Sequence, residues 1–255
     1  MDTPVNIKLN QLKFKTLYSI ICILAFVLPN SVQAAGWSID PIRIELTPTK
    51  QTAALTFTND TDQPTTVQIQ AVSWSQVDGK DIFMPTRDLL ISPPIITIAP
   101  KSTQLIRMTL RIPADATKEL AYRVNLQELP EATATNESGV KLAMRIGIPV
   151  FIQSRKGNAT PKMSWKISST PENMVKVELR NDGDAHVQIS DFSLYTLGSE
   201  QIIATESGSS YILAGQSHDW LLKSNNTEPV NAGRLHLKAY TDAENIDKVI
   251  VLDKP

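Results

Sequence analysis

The sequence is poor in the residues that usually carry chemistry. It has 255 residues, with one cysteine, three histidines and only 6% aromatic residues. Cys22 lies in an N-terminal apolar run, so a chain cleaved after that run would contain no thiol and no disulfide. The histidines form no metal-binding motif, and we expect surface or turn positions for His186, His218 and His236. The sequence therefore predicts neither a metal site nor a cofactor.

Charge of one sign is also missing, which argues against a nucleic-acid partner. Lysine and arginine number 25 and aspartate and glutamate 26, giving a formal net charge of -1. A surface that follows phosphates would normally leave a basic excess. The sequence also lacks a G-x-S-x-G nucleophile motif and a glycine loop of the phosphate-binding kind. An enzymatic function is therefore not predicted.

The N-terminus is typical of a secretory signal peptide. Lysines between positions 8 and 15 precede an apolar run at 17–28, and small residues follow it. The run is shorter than the roughly 20 residues that a membrane span needs. We predict a signal peptide over 1–34, cleaved after Ala34 or Ala35, and export to the periplasm.

The rest of the chain reads as an all-β protein. Short segments alternate apolar and polar residues and are separated by turn residues, and the 16 prolines outnumber the 10 glycines. The length suits two sandwiches of about 100 residues each. Within 91–98, Pro93 and Pro94 cannot lie in a central ladder, so this segment is predicted to be an edge strand or to switch sheets.

A polar segment at 154–161 divides the chain into two predicted domains. The N-terminal domain covers 35–153 and the C-terminal domain 162–255. The turn cluster Asn59-Asp-Thr-Asp62 is echoed by Asn181-Asp-Gly-Asp184, each after a strand. The echo indicates two sandwiches of related design.

The segment 140–152 is the most informative one, and it follows a polar loop at 130–139. At period two its apolar residues form one continuous face, on a strand longer than the usual five or six residues. An ordinary buried strand is one interpretation. The other is a strand that pairs with a second polypeptide, because a long apolar edge otherwise promotes aggregation. The apolar positions are Val140, Leu142, Met144, Ile146, Ile148, Val150 and Ile152.

Three motifs resemble those of periplasmic chaperones of the chaperone–usher pilus pathway. The first is Ile39-Asp-Pro-Ile-Arg-Ile44, and the second is the proline-rich run 93–100 with Gln104-Leu-Ile-Arg-Met108 after it. The third and most specific is Tyr122-Arg-Val-Asn-Leu-Gln-Glu-Leu-Pro130, ahead of the long alternating strand. The resemblance covers essentially the whole mature chain. It implies two immunoglobulin-like β-sandwich domains in an L-shaped arrangement, with no catalysis and no cofactor.

The resemblance also implies a function and a set of site residues. The chain would bind pilus subunits (pilins and a tip adhesin), complete their fold by donor-strand complementation, and deliver them to an outer-membrane usher. Arg43 would bind the subunit's C-terminal carboxylate, with Arg123 or, as runner-up, Arg145 as the second cation. The best-known members have a lysine where this sequence has Pro149, so the chain resembles the divergent branch that serves archaic or spore-coat-type pili. The donor residues carried over by position are Val140, Leu142, Met144, Ile146 and Ile148.

Another class of function stays open at this point. A structural secreted β-sandwich, pilin-like or adhesin-like, would have the same composition. A pilin should have an N-terminal donor extension and one incomplete domain, whereas this chain has two predicted domains and a donor strand in mid-chain. A sugar-binding protein or metal enzyme would need clustered aromatics or ligands. An exposed donor strand also favours a self-capped homodimer in the absence of a subunit.

Overall fold

The computed structural model describes residues 36–129, 143–170, 172–225 and 233–253, and within these ranges the regular structure consists of strands. The described ranges contain seventeen strands. No helix in the described part of the chain is long and apolar enough to cross a membrane. The predicted all-β class is confirmed. The predicted signal peptide, 1–34, lies outside the described residues.

The first sandwich has two sheets. One has four strands in the order β1-β3-β8-β6; the other has the order β2-β10-β9-β4-β5, with β7 also paired to β4. The strands are β1 (Trp37–Asp40), β2 (Ile44–Leu46), β3 (Thr52–Asn59), β4 (Thr65–Val77), β5 (Lys80–Pro85), β6 (Leu89–Ser92), β7 (Ile95–Ile98), β8 (Ser102–Leu110), β9 (Leu120–Glu128) and β10 (Arg145–Ile152).

The second sandwich follows after the predicted linker. Its seven strands run in the order β14-β13-β16-β17-β11-β12-β15, and β17 meets β11 only at its last residues. The predicted linker, 154–161, lies between the last strand of the first sandwich and the first strand of the second; the domain limits themselves stay a prediction. The strands are β11 (Met163–Ser169), β12 (Met174–Asn181), β13 (Val187–Thr196), β14 (Ile202–Ile212), β15 (Ser217–Lys223), β16 (Arg234–Thr241) and β17 (Ile246–Asp253).

Alternation in the sequence explains why these segments form strands with one buried face. In β4, for example, Val67, Ile69 and Ala71 are buried, while the glutamines between them are exposed. Each sandwich has its own cluster of buried residues, and strands from both of its layers contribute to that cluster. The hydrophobic core is thus divided in two, as expected for two packed sandwiches.

The predicted switch segment is confirmed. β6 belongs to the four-stranded sheet and β7 to the other sheet, and Pro93 and Pro94 lie between them. A similar change occurs near the N-terminus, where β1 pairs with β3 and β2 pairs with β10. The residue that leads into β2 is Arg43, so this change of sheets places that arginine beside β10.

The repeated turn cluster has the same structure in both sandwiches. Asn59 and Asn181 are fully buried at the ends of β3 and β12. Asn59 Nδ2 donates to the carbonyl of Gln63 at 2.8 Å, and Asn181 Nδ2 donates to that of Ala185 at 2.7 Å. Each amide also donates to two carbonyls of a neighbouring segment. The echo in the sequence therefore marks equivalent turns.

Candidate functional site

Strand β10 has an unpaired backbone edge along half its length. It pairs with β9 from Arg145 to Ile152, but with β2 only from Val150 to Ile152. Among the described residues, no strand pairs with 145–149 on the β2 side. Exposed N–H and C=O groups on such an edge can pair with another chain. This edge is the first component of the candidate site.

The apolar face of β10 changes from exposed to buried along the strand. Val140 and Leu142 lie outside the described residues. Met144 and Ile146 are partly buried, and Ile146 packs against the core of the first sandwich. Ile148 is 3% exposed and belongs to that core. Among the described residues of the apolar row 140–152, Met144, directly ahead of β10, and Ile146 retain exposed surface.

Arg123 lies on the opposite face of the same sheet. It pairs with Pro149 across the β9–β10 ladder. Its guanidinium carbon is 4.7 Å from the centre of the Trp74 ring and 5.0 Å from that of Phe83, which is cation–π geometry. A Cβ on Gly147 would lie 2.6 Å from Arg123 Cδ, so the glycine makes room for this side chain. Arg123 Nε is buried without a hydrogen-bond partner in the described structure.

Arg43 is held by an acidic residue of the second sandwich. Its Nη1 is 2.6 Å from Asp242 Oδ2, and its Nε is 3.5 Å from Glu45 Oε1. Asp242 Oδ1 also accepts the backbone N–H of Gln188 at 2.8 Å. Burial alone would raise the pKa of Asp242, but its interactions with His186, the Gln188 amide and Arg43 lower that pKa to about 2. Asp242 is therefore ionised at neutral pH.

His186 joins the two sandwiches beside this pair. Its Nδ1 is 2.6 Å from Glu119 Oε1, and its ring stacks on Phe151 at 3.5 Å with an interplanar angle of 8°. Its Nε2 is 3.6 Å from Asp242 Oδ2. Burial lowers the pKa of His186, but the two carboxylates outweigh it and raise the pKa above the usual 6.5. The turn position expected for this histidine is confirmed, since it lies between β12 and β13, but a surface position is wrong, because its side chain is only 10% exposed.

An apolar cluster completes the contact between the sandwiches. Trp74 and Phe151 of the first sandwich pack with Leu213 of the second, and Tyr211 packs against them. The Gln76 side chain donates to the carbonyl of Tyr211 at 2.8 Å and accepts the amide of Leu213 at 2.9 Å. Because Gln76 is buried, these bonds hold β14 against β4 and fix Tyr211 over the sheet.

Two of the three predicted arginines act electrostatically on the same tyrosine, Tyr211. Burial raises the pKa of Tyr211, while the charges of Arg43 and Arg123 both act on its hydroxyl and oppose that rise. Arg145 is exposed, and no ion pair of its side chain occurs in the described ranges. A cavity of about 520 Å³ lies next to Arg43 and is also lined by Phe151. The site therefore combines a free strand edge with two arginines near one tyrosine.

Residues 36–156 match the family described as pili and flagellar-assembly chaperone, PapD N-terminal domain. The first sandwich of the chain therefore belongs to this chaperone family. No curated protein matches the sequence. A chaperone role follows from the family, and the resemblance first found in three short motifs is confirmed.

Solved structures show the fold of the chaperone independently. It is similar to a chain of the CsuC–CsuE chaperone–tip adhesion subunit pre-assembly complex from archaic chaperone-usher Csu pili of Acinetobacter baumannii, with a TM-score of 0.62 and 20% identity, covering 87% of this chain and 100% of that chain. A second match is a structure of the Salmonella enterica SafA pilin in complex with the SafB chaperone, with a TM-score of 0.58 and 14% identity over 87% and 99% of the two chains. The E. coli chaperone DraB gives a TM-score of 0.54 and 18% identity over 86% and 96%.

The sequence analysis missed most of the contact between the sandwiches of the chaperone. Glu119, His186 and Asp242 are far apart in the sequence and belong to no motif. Polar residues at strand ends are common, so nothing in the pattern singled them out. The one available signal was the repeated turn cluster, since Ala185 and His186 directly follow its second copy.

Proposed function

We propose that this chain is a periplasmic chaperone that binds pilus subunits by donor-strand complementation and delivers them to an outer-membrane usher. The observation that carries the proposal is the free edge of β10 beside partly exposed Met144 and Ile146. A subunit that lacks one strand of its own fold could pair with this edge. The clients would be pilins and a tip adhesin. Because no step requires covalent chemistry, the proposal needs neither a cofactor nor catalysis.

The binding energy would come from the backbone edge and from the apolar side chains next to it. Backbone hydrogen bonds give affinity in strand addition, and alternate side chains give specificity. Val140 and Leu142 would extend the apolar row of Met144 and Ile146. Each large side chain that becomes buried contributes roughly 1.5–3 kcal/mol, against an association cost of about 4–15 kcal/mol. Ile148 is already part of the core of the first sandwich and would anchor this apolar row to it.

Arg43 and Arg123 are the proposed anchor for the subunit's C-terminal carboxylate. Two guanidinium groups that act on the same neighbour, Tyr211, can converge on one anion, and charge-assisted hydrogen bonds are the strong ones. Arg145 is the weaker candidate because it is exposed and belongs to a different part of the sheet. Pro149 occupies the position where the best-known members have a lysine. This departure and the likeness to a chain from an archaic pilus system support the divergent, archaic-type branch.

The location and the free state of the protein are part of the same proposal. A signal peptide over 1–34 would export the chain, and the family's pilus clients assemble outside the cytoplasm. Without a subunit, the edge at 145–149 could pair with the same edge of a second copy, which would give a self-capped homodimer. The usher would receive the chaperone–subunit complex.

Co-expression with the pilin encoded beside its gene tests the proposal. We expect a one-to-one periplasmic complex on affinity pull-down of the chaperone. Met144→Asp should abolish the complex because it places a charge in the donor face. Leu221→Asp is the matched control, since Leu221 is 61% exposed on β15 of the second sandwich, and it should leave the complex intact.

Circular dichroism and thermal melting show whether a variant that no longer binds the pilin is still folded. A folded Met144→Asp protein without the pilin supports strand donation. If that variant binds the pilin as well as the wild type does, donation by this face is refuted. If the variant unfolds, Met144 is structural. If the wild-type protein neither retains a pilin nor protects it from proteolysis, a structural secreted β-sandwich becomes the better function.

A further inference from the structure

The proposed carboxylate anchor already has a carboxylate bound to it. Arg43 Nη1 and Asp242 Oδ2 are 2.6 Å apart, which is a short charge-assisted hydrogen bond. Asp242 belongs to the second sandwich, directly after β16, whereas Arg43 leads into β2 of the first. An incoming C-terminal carboxylate that binds this Nη1 therefore competes with Asp242 for Arg43.

Asp242 has a second cationic group within reach. His186 Nε2 is 3.6 Å from the same oxygen, Oδ2, which is too long for a hydrogen bond. This nitrogen is buried and has no hydrogen-bond partner in the described part of the chain. A movement of Asp242 by roughly 1 Å would bring the two atoms to hydrogen-bond distance.

The other contacts of His186 fix its ring and determine its tautomer. Glu119 accepts from Nδ1 at 2.6 Å, so Nδ1 carries a proton. In the neutral ring Nε2 then has only a lone pair, which repels the carboxylate of Asp242. In the protonated ring Nε2 has an N–H that attracts it. Stacking on Phe151 keeps the ring in this position.

We infer that Asp242 is an internal carboxylate ligand of Arg43, that the C-terminal carboxylate of a bound subunit displaces it, and that protonated His186 then binds the displaced side chain. The inference rests on the proposed function, because it takes the subunit's carboxylate as the competing anion. It makes Asp242 and His186 positioning residues of the anchor. The free chaperone thus keeps Arg43 paired until a carboxylate of better geometry arrives.

The exchange should depend on pH through His186. The charged and titratable groups that face His186 are Glu119 ahead of β9, Asp242 after β16, Arg43 ahead of β2 and Tyr211 on β14. Burial lowers the pKa of His186, but the two carboxylates outweigh it and raise the pKa above the usual 6.5, so the ring is protonated up to a higher pH than a free imidazole. Protonation weakens the hold of Asp242 on Arg43, and external carboxylates should then bind more tightly at about pH 6 than at about pH 8.5.

Asp242→Asn is the variant that isolates the competition. The asparagine keeps Oδ1 as an acceptor for the Gln188 amide, but it removes the charge that binds Arg43. Glu45→Gln is the matched control, because Glu45 is also near Arg43 (3.5 Å from Nε) but is 66% exposed. A purely long-range effect of lost negative charge would be similar in both variants.

The first measurement uses acetate as the probe and needs no pilin. Acetate is titrated while the Arg43 Nε–H signal is followed by NMR in the wild type and both variants. Asp242→Asn should bind acetate roughly three- to tenfold more tightly than the wild type, and Glu45→Gln should change the affinity less than twofold. In the wild type, acetate affinity at this signal should rise between about pH 8.5 and pH 6, and His186→Asn should remove that rise.

The second measurement uses the last 16 residues of the pilin from the co-expression experiment, synthesised as free acid and as amide. The ratio of the two affinities should increase in Asp242→Asn, because only the free acid competes for Arg43. An unchanged acetate affinity and an unchanged acid-to-amide ratio in Asp242→Asn would overturn the inference. If neither peptide binds while acetate behaves as expected, the proposed function fails and the exchange between carboxylates stands. Should Asp242→Asn not fold, the pH dependence in the wild type decides.

Discussion

Gly147→Ala tests whether β10 leaves space for Arg123 across the sheet. The added Cβ would be 2.6 Å from Arg123 Cδ and 3.1 Å from Cγ, whereas carbon atoms normally approach to about 3.5–4.0 Å. The arginine must move by roughly 1 Å, which weakens its contacts with the Trp74 and Phe83 rings. Loss of these cation–π contacts and the local overpacking should together cost about 1–2 kcal/mol of unfolding free energy.

A double-mutant cycle in urea identifies the cause of that cost. In an Arg123→Ala background the clash is absent, so Gly147→Ala should be neutral, or stabilising by up to about 1 kcal/mol through the unfolded state. Pilin binding should weaken in the Gly147→Ala single variant because the guanidinium group is displaced. If Gly147→Ala costs the same in both backgrounds, the clash with Arg123 is refuted as the cause. The other close neighbour, Asn125 Oδ1 at 3.2 Å, would then be indicated.

Two further predictions concern the junction and the repeated turns. Because the pKa of His186 is raised in the folded state, its ion pairs contribute fully to stability below about pH 6.5, and this contribution is lost as the pH rises through the folded-state pKa. The pKa of Asp242 is lowered to about 2, so its contribution to stability is present above about pH 3.8 and is lost as the pH falls toward 2. Urea denaturation should therefore show the highest stability between about pH 4 and 6.5, and the alkaline decline should disappear in His186→Gln but persist in His218→Gln. Asn59→Ala and Asn181→Ala should each cost about 2–4 kcal/mol through lost buried hydrogen bonds, and calorimetry should assign each loss to its own sandwich. Clearly unequal costs for the two variants would contradict the equivalence of the turns.

Local patterns predicted the strands well because each pattern reports contacts that repeat every second residue. The even positions from Ile146 to Ile152 do face the core, whereas Met144 is partly buried and is not among the residues packed against it. Pro93 and Pro94 marked a change of sheet because proline lacks the N–H that a ladder needs. Asn59 and Asn181 marked equivalent turns.

The junction between the sandwiches could not be predicted in the same way. Glu119 and His186 are 67 positions apart, and their 2.6 Å contact depends on how two independently patterned sandwiches pack. The platform of Trp74 and Phe83 under Arg123 depends on the register of three strands. Neither feature produces a periodic pattern or a motif in the sequence, so it becomes visible only in the three-dimensional structure.

Because β2 is short, the free edge of β10 begins next to Arg43, the proposed carboxylate anchor. β2 covers β10 only from Val150 onward, and the chain turns away toward the other sheet just before it. The uncovered edge therefore begins at Pro149, and Arg43 lies at that same point because it directly precedes β2. A longer β2 would bury the edge and move Arg43 away from the start of it. Under the proposed function, Arg43 binds the C-terminus of the client, and the client strand then lies along 149–145. The position of its C-terminus therefore sets the register in which the client strand pairs with β10. Extending the client by one residue should then shift every side chain to the wrong face, because strand side chains alternate.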